Sequence, residues 1–488
     1  MSESRTNSHH RGGVWALDLL VTVRRDTGVP LHRQIESDLR SAIRSGRLTV
    51  GTTLPATRRL AVDLGVSRGV AVEAYEQLVA EGYLTSRSGG YTRVAMGSAP
   101  PALDSAPAPP TPVWIDFGYG RADVSHFPRA AWLRSVRRVL TEASNDRFGY
   151  LSGRGVPELR EALAAYLNRA RGTAAAATDI VITTGYAQAV ALLLQVLAQR
   201  GARTVALEDP SSDDDVRVIA PRLGLHVLGI PVGRDGIDVA ALERSGADAL
   251  ILTPSHQWPT GGVLPPQARA RVLRWARERG ALVIEDDYDA EYRYDRAPIG
   301  AMQGLLPDHV AYAGSASKTL APGLRLGWLL LPAHLVDEVA TAKITADRGG
   351  GAIDQLAFAD FLSRGEFDRH LRRMRPIYRR RRDALLGALR ATLPELEPAG
   401  VAAGLHLVTW LPPDLDEAAL VEAGLRRGVS VHGVTPYRFD HDGPGGLIFG
   451  YSALNESAIV EGVDMVAAAV ADMAGTKPRN ATNRRVEP

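Results

Sequence analysis

The chain has 488 residues, 57 of them basic and 55 acidic, for a formal net charge of +2; two or three domains are expected at that length, and the balanced charge alone points to no partner. It contains no cysteine, which excludes disulfides, thiolate catalysis and cysteine-bound zinc, and its twelve histidines include no H-x-x-x-H pair, so no metal site is expected. No run approaches the roughly 18–20 apolar residues of a membrane helix and the N-terminus MSESRTNSHHRGG lacks the apolar core of a signal peptide, so the chain is expected in the cytoplasm.

Residues 17–95 form a compact, arginine-rich region. Ile35, Leu39, Ile43 and Leu48 recur near helical spacing, which predicts an amphipathic helix over 31–48. A short helix follows in TRRLAVDLG and stops at Gly65. Ser67 is placed to cap a third helix, RGVAVEAYEQLVAEG. Leu84 to Val94 reads as a hairpin turning at Gly89-Gly90. Two short helices joined by a tight turn, followed by a hairpin, are a winged helix-turn-helix. In that geometry the N-terminus of the third helix enters the major groove of double-stranded DNA. The candidate DNA-binding residues are Arg58, Ser67 and Arg68, with Arg87 in the wing. A three-helix interaction module with a solvated arginine face is the competing reading.

Residues 96–113 are dominated by proline, alanine and serine and are expected to be a semi-extended linker. Residues 114–474 alternate apolar strand-like runs with helical patterns, which predicts an α/β domain with a mainly parallel sheet. A large part is expected over about 114–365 and a small C-terminal part over about 366–474. The run Arg369 to Arg382 reads as an amphipathic helix with a solvated basic side, where a second DNA contact is an alternative use. The polar tail 475–488 is expected to be disordered.

Five runs read as buried strands: DIVITTG, TVALEDP, ALILTPS, ALVIEDD and HVAYAGS. Ligands of open α/β sheets bind off the carboxyl ends of the strands. There the sequence offers Asp286, Asp287 and Tyr288, then Ser315 and Lys318, and Arg325 a short way on. After the first strand come Tyr186, Ala187 and Gln188, which open a helix whose N-terminal N–H groups suit a phosphate. Lysine is scarce here, with Lys318, Lys343 and Lys477 making up the whole set. A lysine amine, a carboxylate for a pyridine nitrogen, a phenol, and Ser, Arg and helix-terminal N–H groups for a phosphate are what pyridoxal 5′-phosphate (PLP) needs. Taken singly, the aspartates also read as caps or metal ligands, and Lys318 as a surface lysine.

Two resemblances follow from these motifs. The N-terminal segment, with its LP-x-x-R and LGVSR-x-x-V-x-x-A-Y-x-x-L runs, resembles the winged helix of GntR-type regulators. From residue 114 to about 470 the chain resembles fold-type I PLP enzymes of aminotransferase type. The segments that carry this are FGYLSGRGVPELREALAAYL, ILTPSHQWPTG, EDDYDAEYRY and GSASKTLAPGLRLGW. This resemblance implies Lys318 as the Schiff-base lysine, Asp286 as the pyridine partner with Asp287 as fallback, and Tyr288 as the O3′ donor. It implies Ser315 and Arg325 at the phosphate, and Tyr150 at the phosphate of the partner subunit. In that order the parts resemble the MocR subfamily, which implies a homodimer and a signal that is an amine, an amino acid or PLP itself.

Three departures from the family pattern bear on catalysis. Ser212 stands where an aromatic residue packs on the cofactor ring, leaving Tyr186 as the candidate to lie there. The phosphate turn reads GYAQ rather than GAQQ. Aminotransferases hold the substrate carboxylate with an arginine where this chain has Ile448, and Arg438 is the nearby candidate for an effector contact. Asp213, Asp214 and Asp215 read as an acidic surface loop, with binding of a cationic amine as the alternative. The expected function is a PLP-dependent, DNA-binding transcriptional regulator; the alternatives are an active aminotransferase with an appended DNA-binding module, and a repressor whose large domain only dimerises.

Overall fold

In the computed structural model, the described residues are 21–86, 91–95, 113–211, 214–233, 236–295, 299–440 and 443–476. Arg87 and the Gly89-Gly90 turn, most of the linker 96–113, Ser212, Asp213 and all but the start of the tail 475–488 lie outside them. The chain divides into two compact units, Met1–Pro110 and Thr111–Pro488.

The first unit contains helices α1 (Leu31–Arg44), α2 (Thr57–Asp63) and α3 (Arg68–Ala80), with short strands β1 (Thr53–Leu54), β2 (Leu84–Thr85) and β3 (Thr92–Val94). The strands form an antiparallel sheet in the order β1-β3-β2. Ile35, Leu39 and Ile43 point from α1 into a core completed by Leu60, Ala71, Tyr75 and Leu78. Leu48 joins that core from beyond the helix, which ends at Arg44. The Ser67 hydroxyl accepts from the Val70 N–H at 3.4 Å, so the residue acts as the N-cap of α3. Ser67→Ala is therefore expected to destabilise this unit by about 1 kcal/mol, read as a roughly fivefold rise in amide exchange at Val70 and its neighbours.

The second unit is built on an eight-stranded sheet. Its strands are β5 (Ile180–Thr183), β6 (Thr204–Asp209), β7 (His226–Gly233), β8 (Gly236–Ile237), β9 (Ala249–Leu252), β10 (Leu282–Asp286), β11 (Val310–Ser315) and β12 (Gly327–Leu330). The order is β5-β12-β11-β10-β9-β6-β7-β8. All five predicted strands are present, and the pairings from β11 through β7 are parallel. Strand β12 runs antiparallel to both β11 and β5; no expectation covered it. Because β5, β6, β9, β10 and β11 share one direction, their carboxyl ends meet at one edge.

Helices α4 (Arg129–Glu142), α5 (Pro157–Arg171), α6 (Tyr186–Gln199), α7 (Asp214–Arg222), α8 (Val239–Arg244), α9 (Pro266–Arg279), α10 (Val336–Asp347) and α11 (Ala352–Ser363) belong to this part. The smaller part has α12 (Glu366–Thr392), α13 (Glu417–Arg426) and α14 (Glu456–Thr476) beside a four-stranded antiparallel sheet. That sheet comprises β13 (Glu397–Ala399), β14 (His406–Trp410), β16 (His432–Gly433) and β17 (Gly446–Gly450). Strand β15 (Val429–Ser430) pairs instead with β4 (Ile115–Asp116), tying the start of the unit to its small part. Helix α12 buries Leu371, Met374, Tyr378 and Leu385, the face predicted for the arginine-rich run. One arginine of that run departs from the solvated face: Arg381 is buried and donates Nη2 to Asp123 at 2.8 Å.

Candidate cofactor site

A cavity of about 240 Å³ lies off the carboxyl ends of β5, β10 and β11. Tyr186, Ala187, Asp286, Tyr288, Ser315, Lys318 and Arg325 all line it. Residues far apart in sequence meet there because each follows a parallel strand or opens the next helix. Asp286 is the last residue of β10 and Ser315 the last of β11, and the register sets Asp286 opposite Ala313.

Lys318 is half-buried, and its Nζ donates to the Gly120 carbonyl. Gly120 has φ +70°, and a Cβ there would lie 2.8 Å from Nζ, so glycine is what allows this approach. Burial lowers the pKa of the lysine, against the pull of Asp286 and Asp289. A lowered pKa raises the share of free amine, the form that attacks a carbonyl.

The Arg325 guanidinium lies against Gly185, the N-cap of α6: a Cβ on Gly185 would stand 3.4 Å from Nη2. Among the described residues no carboxylate is within ion-pair distance of it. A guanidinium without an anion, beside the first N–H groups of a helix, is an anion site.

Two candidates are not brought in. The Gln188 side chain is pledged elsewhere, with Oε1 accepting from Thr184 N at 2.9 Å and Nε2 donating to Asp347 at 2.8 Å. Helix α6 turns that side chain toward α10, so Gln188 has only its backbone to offer a phosphate. Arg438 donates Nη2 to the Pro444 carbonyl at 3.0 Å and does not line the cavity. Ile448 is fully buried with Trp258, Val408 and Val434. Tyr150 is 94% exposed, away from the cavity of its own chain. Arg58 and Arg68 are exposed on the first unit, as is Ser67.

Asp287 faces the other way from Asp286. It is buried and pairs with the buried Arg171 at 2.6 Å, while the Tyr312 hydroxyl donates to it at 2.7 Å. The Tyr288 hydroxyl donates to the His256 carbonyl at 3.0 Å. Burial, then Asp289 and Asp286, hold the Tyr288 pKa well above its ordinary value, so it stays a donor.

Further lining residues escaped the sequence reading: Tyr119, Gly120, Trp258, Ser317 and His406; Asp215, read as an acidic surface loop with a cationic amine as the alternative, lines the cavity as well. Asp215 sits in the first turn of α7, where an acidic surface loop was expected. His256, Asp289 and His406 form a buried group with ligand atoms within 4.8 Å of one another, a cluster that spacing along the chain does not show. His256 Nδ1 lies 3.0 Å from Asp289, which orients the ring. Trp258 was within reach as part of the HQWPTG motif; His406 reaches the cavity only because the small part folds back.

The comparisons agree with this geometry. The family "Aminotransferase class I and II" matches residues 112–448 and the family "Bacterial regulatory proteins, gntR family" matches 31–94. The probable rhizopine catabolism regulatory protein MocR of Rhizobium meliloti is 33% identical over 473 residues, covering 92% of this chain and 96% of the relative. The pyridoxine biosynthesis transcriptional regulator PdxR of Corynebacterium glutamicum is 30% identical, over 91% of this chain and 96% of its own. Among solved structures, the α-aminoadipate aminotransferase LysN of Thermus thermophilus, complexed with N-(5′-phosphopyridoxyl)-L-leucine, superposes with a TM-score of 0.67 at 29% identity. That match covers 74% of this chain and 93% of LysN. The family and this neighbour make PLP the cofactor of the larger unit. A gntR unit followed by an aminotransferase class I and II domain, matched by regulators along nearly its whole length, places the chain in the MocR subfamily of GntR-type transcriptional regulators.

Proposed function

We propose that this regulator senses an amine, an amino acid or PLP itself at the cavity of its larger unit and passes the signal to its winged helix. The observation that carries the reading is the meeting of Lys318, Asp286 and the Arg325–Gly185 cradle in one cavity. The donor set fits PLP. Lys318 would hold the aldehyde carbon, Asp286 the pyridine nitrogen, and Arg325, Ser315 and the first N–H groups of α6 the phosphate. Bound there, PLP supplies an electrophilic carbon that captures amines and a ring that withdraws electrons. Tyr186 and Ala187 wall the phosphate end. Tyr150, with its exposed ring, would serve the site of a second copy in a homodimer.

Arg58 and Arg68 would touch DNA from the second and third helices, with Arg87 in the wing; neither Arg58 nor Arg68 is held by an ion pair among the described residues. Ser67 contributes by fixing the start of α3. A regulator rather than a working aminotransferase is favoured because the relatives matched over nine-tenths of the chain are named as regulators, whereas the Thermus thermophilus 2-aminoadipate transaminase covers 72% of it. A ligand can shift DNA binding only through differential contacts in two states.

The test is footprinting of the full-length protein on DNA selected from a random pool, without PLP, with PLP, and with PLP plus a panel of primary amines and amino acids. The wild type is expected to change its footprint with PLP or with a panel member, and Lys318→Ala is expected not to respond. A footprint indifferent to every ligand would leave the larger unit as a dimerisation scaffold. No footprint on any DNA would remove the DNA-binding reading.

A further inference from the structure

We propose that the cavity selects a primary amine carrying no carboxylate, and that Asp215 receives a second cationic group on that ligand. The inference rests on the cofactor assignment above and concerns the part of the cavity that the cofactor leaves over.

Among the described lining residues, Lys318 and Arg325 are the two that carry positive charge. Both are engaged by the cofactor in that assignment. A carboxylate entering the remaining space would need a third cation, because an ionised group removed from water without a partner is strongly disfavoured. None is on the wall among the described residues. His406 is buried, and its Nε2 is taken up by the Pro259 carbonyl at 3.2 Å.

Arginines beside lining residues are occupied, and Arg121, next to Gly120, pairs with Asp116. Arg438 donates to Pro444 O, and Arg217 donates to Tyr437 O at 2.6 Å while lying over the Phe439 ring at 4.1 Å. Behind the wall, Ile448 packs with Trp258 in a buried apolar group. That packing leaves no room for a guanidinium at this point.

What the remaining space does offer suits a cation. Tyr119 and Trp258 line it with their ring centroids 4.7 Å apart, and Tyr437 stacks edge-on behind Trp258 at 4.6 Å. Aromatic faces attract ammonium groups. Asp215 adds an exposed carboxylate at the rim, on the first turn of α7. It is the lining carboxylate that the cofactor assignment does not use, since Asp286 is placed at the ring nitrogen.

Matched pairs separate the possibilities: tyramine against tyrosine, and cadaverine against lysine. Each is titrated by calorimetry into the full-length protein after loading with PLP, with loading checked by its visible absorption band. In both pairs the amine is expected to bind at least about tenfold more tightly than the amino acid. Asp215→Asn is expected to weaken cadaverine by about tenfold and tyramine by much less, because tyramine has no second ammonium. Equal or tighter binding of the amino acids overturns the inference and points to a cation supplied from outside this chain. Failure of all four compounds to bind the loaded protein also overturns it. Cadaverine and tyramine weakened equally by Asp215→Asn removes Asp215 from the proposal. A protein that takes up no PLP fails at the earlier step, which identifies the cofactor assignment as the error.

Discussion

Lys318→Ala is expected to abolish the visible absorption band that the wild type acquires with PLP. Lys343 cannot substitute. It is 1% exposed, and its Nζ is held by Asp347 at 2.6 Å, on the far side of the Gln188 link from the cavity. The measurement is a spectral titration of both proteins with PLP; a variant that keeps the band would displace Lys318 from its role. The same residue gives a pH signature without cofactor. Burial lowers its pKa in the fold below the ordinary value of 10.5, so the unfolded chain binds more protons there. Stability then rises with pH between the lowered folded value and 10.5. The penalty for burying the charged amine is present in full below the folded value and gone above the unfolded one. Relative to Lys318→Ala, the cofactor-free wild type is therefore expected to gain stability as pH is raised across that window, which urea unfolding at a series of pH values would show.

The parts legible in the sequence were those fixed by local pattern. The five strands are short apolar runs ending in polar residues, and burial on both faces of a parallel sheet demands that pattern. Ser67 followed by an apolar-periodic run is a cap by its own chemistry. Lys318, Ser315 and Arg325 stand close together in one motif, so finding one locates the others. What was not legible depends on partners remote in the chain. Gln188 was assigned to the phosphate because it opens a helix, but Asp347 and the Thr184 N–H claim its side chain. Arg438 was assigned by proximity in sequence to the small sheet, and the turn ending at Pro444 holds it away. Strand β12 was missed because GWLL is brief and adjoins the motif that carries Arg325. Tyr119 and His406 enter the cavity from opposite ends of the domain, which no window of sequence can reveal.

The two adjacent aspartates show how much a single position matters. Successive residues leaving a strand point to opposite sides, so Asp286 and Asp287 cannot both face the cofactor. The structure gives the cavity to Asp286 and the core to Asp287. Around Asp287 the interior is crowded with charge: burial, with Asp287 adding to it, pushes Glu285 and Glu291 each up to about 7. Arg171 is one of the cations set among them, with Arg269, and is bonded to Asp287 and to Ser255 Oγ at 3.2 Å.

Asp287→Ala is consequently expected to be the most destabilising single change. It leaves a guanidinium that is 1% exposed without its direct carboxylate partner. Breaking a buried pair from one side typically costs about 3–5 kcal/mol, enough to lower the urea midpoint of the larger unit markedly when followed by tryptophan fluorescence. The double variant Arg171→Met/Asp287→Leu removes both charges and keeps the volume, so it is expected to recover a large part of that loss. Asp286→Asn is expected to behave in the opposite way. Asp286 is half-buried at the cavity wall, so the midpoint should stay near that of the wild type while the absorption of bound PLP shifts, since an amide cannot hold a proton on the ring nitrogen. Stability and spectrum thus read the two residues separately. A stable Asp287→Ala with an altered cofactor spectrum would reverse their roles. An Asp286→Asn protein with an unchanged spectrum would leave the ring nitrogen without a partner on β10.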